Sequence, residues 1–377
     1  ASNYLEPSAE KLAEQHRVYG QEIASKAPRT IPVTRGSKLK VSILSPDLRA
    51  HSCAYFLEPL LDFLPSGIEV SLYYDHLVAD STTARLANKV GQRLQQVAHL
   101  GNHELEQKMV ADKSDVVIDL AGHFSRNRME LFANRVAPVQ VAYLGYPNTT
   151  GVAGVDYRLA DPRVDLPEHR GHFTEKLAFC TGGLWAYRPI EDAPVPGGVP
   201  AKPRFGYFGM LSKLSPQCLA VWAKLANRSG VPLLIKGDGL EREDLSAYWS
   251  AKLLAAGFEP GLFELRPKTA STLDHLKMYE DVTVALDPWP YNGTTTVCEA
   301  LWQGVPTLAL AGDRHASRVA TGLLSGAGLG HLTAAFESDY VQIGCDLVKS
   351  AIRLDRTALQ KAVWMKPEIV ADGIWST

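Results

Sequence analysis

Much that would classify a chain at a glance is missing here. The 377 residues contain no HExxH, GxSxG or Walker sequence and no glycine-rich dinucleotide fingerprint. Zincin, α/β-hydrolase, P-loop and hydride-transfer chemistries therefore lose their usual support. Five cysteines (Cys53, Cys180, Cys218, Cys298 and Cys345) are scattered without CxxC spacing. That argues against a zinc site and a disulfide frame, and it favours a reducing, cytoplasmic compartment. No carboxylate-rich cluster calls for a metal. The formal net charge is -2, so no basic surface points to nucleic acid. An anionic ligand would have to be held by a few placed groups. No apolar run reaches membrane-spanning length, and the N-terminus lacks a signal-peptide core. The first residue is Ala1, so the chain is expected to be part of a longer one.

What is present is strand and helix alternation, the pattern of parallel α/β sheets. Residues 39–44, 68–74, 116–120 and 139–144 read as strands, with helices between them at 54–63, 81–88, 105–111 and 128–135. The run Ala193-Pro194-Val195-Pro196-Gly197-Gly198 breaks the alternation. It restarts with strands at 205–208, 232–236, 262–266, 282–286 and 307–310, and helices at 216–227, 242–256, 272–279, 296–303 and 317–327. The predicted organisation is an N-terminal helical segment (1–36), a first α/β lobe (37–190), a linker (191–203), a second α/β lobe (204–340) and a C-terminal helix and tail (341–377). The last helical stretch, 338–354, is expected to pack across both lobes, and no strong element is visible beyond Met365. Two such lobes put a ligand cleft at the carboxyl ends of their strands.

Residues 286–302 carry the richest chemistry. A buried strand ends at Asp287, a loop containing Pro288, Pro290 and Gly293 follows, and Thr294, Thr295 and Thr296 open a helix that holds Glu299 in its second turn. A helix N-terminus attracts anions, hydroxyls add donors, and an acid one turn on can accept from a ribose. A capped helix after an α/β loop is the plainer alternative. His51 and His123 follow the first and third strands, where functional residues of open sheets gather, and an imidazole there can move a proton. Either can equally be a surface-loop histidine. Lys213 follows the first strand of the second lobe, just before a helix with Ser215 as cap and Pro216 at its first position. It can hold a diphosphate as a point charge, or simply be solvated. His275 suits a base or phosphate as well as a helix surface. Arg314, His315 and Arg318 can lie along a nucleotide edge or be first-turn charges.

Together these segments resemble a known family. Ser45-Pro46-Asp47 with His51-Ser52, Asp119-Leu120-Ala121-Gly122-His123, Ala137-Pro138-Val139-Gln140-Val141 and Leu144-Gly145-Tyr146-Pro147-Asn148-Thr149-Thr150-Gly151 are similar to the first half of the O-GlcNAc transferase family, which includes the plant SPINDLY branch. Met210-Leu211-Ser212-Lys213-Leu214-Ser215-Pro216, Asn292-Gly293-Thr294-Thr295-Thr296, Leu301-Trp302-Gln303-Gly304-Val305-Pro306 and Ala316-Ser317-Arg318-Val319-Ala320 are similar to its second half. The resemblance runs in order over residues 38 to 345.

It implies a GT-B fold of two Rossmann-like lobes. It also implies an inverting, metal-independent transfer of a sugar, foremost GlcNAc from UDP-GlcNAc, to Ser/Thr of a protein or peptide acceptor. No cofactor beyond the nucleotide-sugar is implied. By position, His51 matches the family's active-site histidine, with His123 in reserve as proton acceptor. Lys213 matches the diphosphate lysine, and His275 the histidine beside the base. Thr295 and Thr296 match the phosphate pair, with Asn292, Gly293 and Thr294 before them, and Glu299 matches the acid on the ribose. Gly145, Tyr146 and Pro147 line the sugar pocket, while Met210 and Arg318 border the donor.

Met210 replaces a polar residue, and Thr294 a histidine, of the GlcNAc branch. Residues 294–299 and Gly122-His123 are closer to the SPINDLY type, whose donor is GDP-fucose. Residues 316–319 are closer to the GlcNAc type. A protein O-fucosyltransferase is therefore the runner-up. A catalytically silent nucleotide-sugar-binding scaffold and a sugar-nucleotide epimerase are the further alternatives. The family's tetratricopeptide array is represented at most by its last helix, at 8–25. The acceptor protein and the oligomeric state are not written in the sequence.

Overall fold

Short apolar runs bounded by glycine, proline and polar turns make both units of the molecule, and each run pairs in parallel with its neighbours. The computed structural model describes residues 2–5, 8–25, 28–33 and 36–377. Positions 1, 6, 7, 26, 27, 34 and 35 of the predicted N-terminal helical segment lie outside the described residues. The chain divides into two units. One comprises Ser8–Arg188 with Lys366–Thr377, and the other Pro189–Met365 with the N-terminal residues 2–5.

The first unit holds a seven-stranded sheet of β1 (Leu39–Ser45), β2 (Ile68–Tyr74), β3 (Leu94–Gln96), β4 (Val116–Asp119), β5 (Val139–Ala142), β6 (Tyr157–Ala160) and β7 (Lys176–Phe179), in the order β3-β2-β1-β4-β5-β6-β7. β1 pairs in parallel with β2 on one side and β4 on the other, and Leu44 stands opposite Asp119. The strand order reverses between β1 and β4, so their carboxyl-end loops flank a crevice. Phe132, Leu131, Val117 and Leu105 fill the core beneath, each burial contributing roughly 1.5–3 kcal/mol.

The second unit repeats this plan with β8 (Phe205–Tyr207), β9 (Leu233–Gly237), β10 (Phe263–Pro267), β11 (Val284–Leu286), β12 (Thr307–Leu310) and β13 (Thr333–Ala334), ordered β10-β9-β8-β11-β12-β13. Its reversal lies between β8 and β11. The helix Glu337–Ser350 packs on the helix Pro216–Ser229 and on β11, β12 and β13 of this unit. It does not run on to residue 354, because Ala351 turns left-handed at φ 44. The indole N–H of Trp222 donates to the Tyr340 hydroxyl at 2.9 Å and joins the two helices.

Two departures from the sequence expectations have plain causes. β3, β6, β7 and β13 escape detection because they are two to four residues long and carry polar positions, including the fully buried Arg158. A helix does follow Met365. Pro367–Trp375 starts on a proline, buries Val370, Ala371 and Ile374, and rests on the turn Glu58–Phe63, where the Trp375 indole N–H donates to the Leu60 carbonyl. Nine residues give too short a periodic signal to separate from a tail. Residues 191–203 form no helix or strand. Among the described residues no helix is long and apolar enough to cross a membrane, and all five cysteines are buried free thiols.

The helix Ala9–Glu22 docks by backbone proximity. A Cβ on Gly20 would lie 1.8 Å from the Gly151 carbonyl oxygen, and one on Gly151 would lie 2.0 Å from that of His16. Gly20→Ala should therefore displace this helix and cost about 1–3 kcal/mol, read as a lower Tm of the first unit. An unchanged transition would show that the contact is not tight.

Candidate active site

In the second unit, the loops leaving β8 and β11 are tied together before any ligand is considered. Ser215 caps the helix Pro216–Ser229 by accepting from the Cys218 N–H at 3.1 Å, and its hydroxyl donates to the Trp289 carbonyl at 2.8 Å. Lys213, in the turn Leu211–Lys213, donates from Nζ to the Asn292 carbonyl at 2.6 Å and stands 4.0 Å from the Tyr291 ring centroid. The N–H of the same peptide group, on Gly293, donates to Oδ1 of Asp287 at 2.7 Å. One peptide thus turns its carbonyl to an ammonium and its N–H to a carboxyl. Burial draws Lys213 below the ordinary lysine range, with Asp287 acting against it. Burial likewise pushes Asp287 above the ordinary carboxyl range, opposed by the Gly293 N–H and by Lys213. A Cβ on Gly293 would meet Thr296 Oγ1 at 2.3 Å, so the turn needs glycine.

The helix Thr295–Trp302 begins directly after this turn, and Thr294 gives it no side-chain cap. The first-turn N–H groups of Thr296 and Val297 have no acceptor within the helix. Thr294, Thr295 and Thr296 are all partly exposed at this end. Glu299, one turn on, meets His275 with Nε2 and Oε2 3.0 Å apart, and His275 Nδ1 lies 2.5 Å from Nζ of Lys236 on β9. Asn292 is a frame residue: its side chain donates to the Pro288 carbonyl and accepts from the Ala320 N–H. Met210 is 61% exposed at the mouth of the β8 loop, where its carbonyl accepts from the Tyr207 hydroxyl. Arg318 donates to the Gly312 carbonyl, while Arg314 and His315 are buried.

In the first unit, His51 caps the helix Ser52–Leu57 by accepting at Nδ1 from the Cys53 N–H at 3.3 Å. The proton of a neutral ring is then on Nε2, so His51 presents a donor. Asp47 Oδ2 lies 3.7 Å from the same Nδ1. Asp47, His51 and Cys53 are a convergent ligand-type group among the described residues, in which burial raises the Cys53 thiol and the His51 Nδ1 lone pair serves the cap. His123 has the opposite arrangement. Its Nε2 lies 2.6 Å from the Thr150 carbonyl and must donate, which leaves Nδ1 as the acceptor. Burial lowers the proton affinity of both rings.

The turn before His123 interlocks with the Gly145–Pro147 loop. Gly122, at φ +53, would place a Cβ 2.2 Å from Tyr146, and Gly145 would place one 1.9 Å from the Leu120 carbonyl. Tyr146 and Pro147 are buried. The Tyr146 hydroxyl lies 2.5 Å from Nε2 of His16, whose Nδ1 meets the Leu12 carbonyl at 2.6 Å. His123 packs edge-on against His16, Tyr19 and Tyr146. Glu175 holds the loop from below, accepting from Thr149 Oγ1 and from the N–H and hydroxyl of Thr150.

The sequence profile described as glycosyl transferase family 41 matches residues 17–186 and 204–370. This chain belongs to glycosyl transferase family 41. Across 99% of its length it is 32% identical to a rice protein named probable UDP-N-acetylglucosamine–peptide N-acetylglucosaminyltransferase SPINDLY, of which it spans 42%. It is 24% identical over 81% of its length to an Arabidopsis thaliana protein named probable UDP-N-acetylglucosamine–peptide N-acetylglucosaminyltransferase SEC. A mutant O-GlcNAc transferase of Thermobaculum terrenum superposes with a TM-score of 0.90 at 28% identity, over 100% of this chain and 73% of that one. The lipopolysaccharide galactosyltransferase WaaB superposes at a TM-score of 0.57 and 14% identity, which bears on fold alone. The GT-B fold implied by the sequence resemblance is the observed one.

Reading this family-41 chain by motif alone misses Lys236, His16, Glu175 and Asp287 as partners. Lys236 looks like an ordinary strand lysine, and His16 like one member of a helix face. The polar content of Thr149-Thr150 is the one signal that a buried acceptor such as Glu175 must exist.

Asp119 closes the Gly122 turn by accepting its N–H at 2.6 Å, and burial raises its carboxyl to about 7. Raised above its unfolded value, this group stabilises the fold at low pH and loses that contribution as pH climbs through about 7. Asp119→Asn, which keeps the acceptor, should gain on the wild type by on the order of 2 kcal/mol between pH 5 and pH 8. A Tm difference that stays flat over that range would contradict the assignment.

Proposed function

We propose that this chain is a metal-independent, inverting glycosyltransferase that moves GlcNAc from UDP-GlcNAc to Ser/Thr of a protein acceptor. The observation that carries the reading is the Lys213, Asn292–Gly293 and Asp287 arrangement at the start of the Thr295 helix. It places an ammonium beside a helix N-terminus, where a departing diphosphate needs positive charge. Relatives named as peptide N-acetylglucosaminyltransferases support the donor and acceptor class. The chain's span of 42% of the rice relative leaves acceptor choice to be determined on the whole protein.

In this mechanism the acceptor oxygen attacks the anomeric carbon on the face opposite the diphosphate. The glycosidic C–O bond breaks toward the leaving group, and Lys213 with the first-turn donors takes up the developing charge. The reserve histidine, His123, receives the hydroxyl proton at Nδ1 in place of His51, whose Nδ1 already accepts from the Cys53 N–H. Thr295 and Thr296 contact phosphate, Glu299 the ribose and His275 the base. Gly145, Tyr146 and Pro147 shape the sugar pocket.

Lys213→Met should lower transfer at least about 10²–10³-fold while circular dichroism shows the fold retained, with some loss of Tm because the Asn292 carbonyl and Asp287 lose their buried partner. Full turnover in that variant would remove the central claim. Calorimetry should find UDP binding more tightly than GDP. The reverse order would favour the fucosyltransferase reading, to which Thr294 and its neighbours are similar.

A further inference from the structure

β9 is buried along its whole length, and Lys236 within it is only 7% exposed. A lysine in such a strand is costly unless its ammonium is bonded. Its hydrogen-bond partner is an imidazole nitrogen: Nζ lies 2.5 Å from Nδ1 of His275 and 5.4 Å from the Phe208 ring centroid. An ammonium has only donors, so Nδ1 must accept, and the single proton of a neutral ring is placed on Nε2. That nitrogen faces Oε2 of Glu299 at 3.0 Å. The result is a directed chain from Lys236 through His275 to Glu299. The ring itself is clamped edge-on by Phe208 and Tyr279. Burial draws Lys236 down to about 8, with the Glu299 charge acting against this, so the ammonium depends on the chain it heads. Burial in β9 calls for no ammonium, and the lysine is explained by the bond it makes.

We propose that Lys236 is a positioning residue for the nucleotide donor: it fixes His275 in the Nε2–H tautomer and, through that proton, sets the Glu299 carboxyl for the ribose hydroxyls. The inference rests on reading this surface as the nucleotide-sugar site, and its first test does not. In ligand-free protein labelled with ¹⁵N-histidine, the His275 resonances, assigned with His275→Gln, should report an unprotonated Nδ1 and a protonated Nε2. In Lys236→Met they should move to a mixture of tautomers. An Nδ1–H ring in the wild type, or no change in the variant, overturns the proposal whatever the ligand.

The second test is a double-mutant cycle read by the dissociation constant of UDP. Lys236→Met should weaken binding about tenfold, at the low end of what supporting groups around a site contribute. In a His275→Gln background it should change binding less than about twofold. Equal effects in both backgrounds would mean that Lys236 acts on the ligand directly or on the fold, and would overturn the relay. If Lys213→Ala also leaves UDP binding unchanged, the donor-site reading fails, and the tautomer measurement still decides the role of Lys236.

Discussion

The peptide between Asn292 and Gly293 is the constraint on which the second unit's chemistry depends. Its carbonyl accepts from Lys213 and its N–H donates to Asp287. A peptide dipole aligned between a buried cation and a buried acid favours both charges, where either alone would be driven neutral by desolvation. The geometry also explains the small residue at 293, since a side chain there would strike Thr296 Oγ1 and crowd Asp287. Through the Ser215 to Trp289 bond, the same loop is fastened to the start of the Pro216 helix. Lys213 is thus fixed at both ends of its reach.

The two units share one sheet order and use it for different chemistry. In both, the functional loops leave the strands on either side of the reversal, β1 and β4 in one and β8 and β11 in the other. Backbone geometry accounts for this, since only there do adjacent crossovers run to opposite faces and leave a crevice. The first unit furnishes that place with neutral rings. Burial lowers the proton affinity of His16, His51 and His123, and backbone bonds decide which nitrogen of each neutral ring carries its proton. The second unit furnishes it with lysines kept near charge by a peptide dipole and by Glu299. In the proposed mechanism, proton acceptance and anion stabilisation are therefore assigned to different sheet edges by the tautomers and charges each supports.

That separation bears on what could be read from the sequence. β2 and β12 were legible to the residue, because their mainly apolar residues are bounded by glycine and proline turn signals. β3, β6, β7 and β13 were not, since a strand of two to four residues that carries a polar position lacks a period to detect. The placement of Lys213, His51 and His123 just after strands, and of Thr294–Thr296 at a helix start, was legible from the sequence pattern. Their roles were less so. Nothing in the order of residues says that the Cys53 N–H occupies Nδ1 of His51 while the Thr150 carbonyl occupies Nε2 of His123, yet those two bonds make one ring a donor and the other an acceptor.

Lys236, His16 and Glu175 mark a different limit. Each is a polar group buried among apolar neighbours, and each is explained only by a partner far away in sequence: His275, Tyr146, and the Thr149–Thr150 hydroxyls. A buried polar group must find a partner or be replaced, so such residues record contacts that periodicity cannot see. Here they all lie directly behind the groups that face a ligand in the proposed mechanism. Lys236 backs His275, His16 backs Tyr146, and Glu175 backs the loop whose Thr150 carbonyl orients His123. The order of the outer groups is thus set by an inner polar layer.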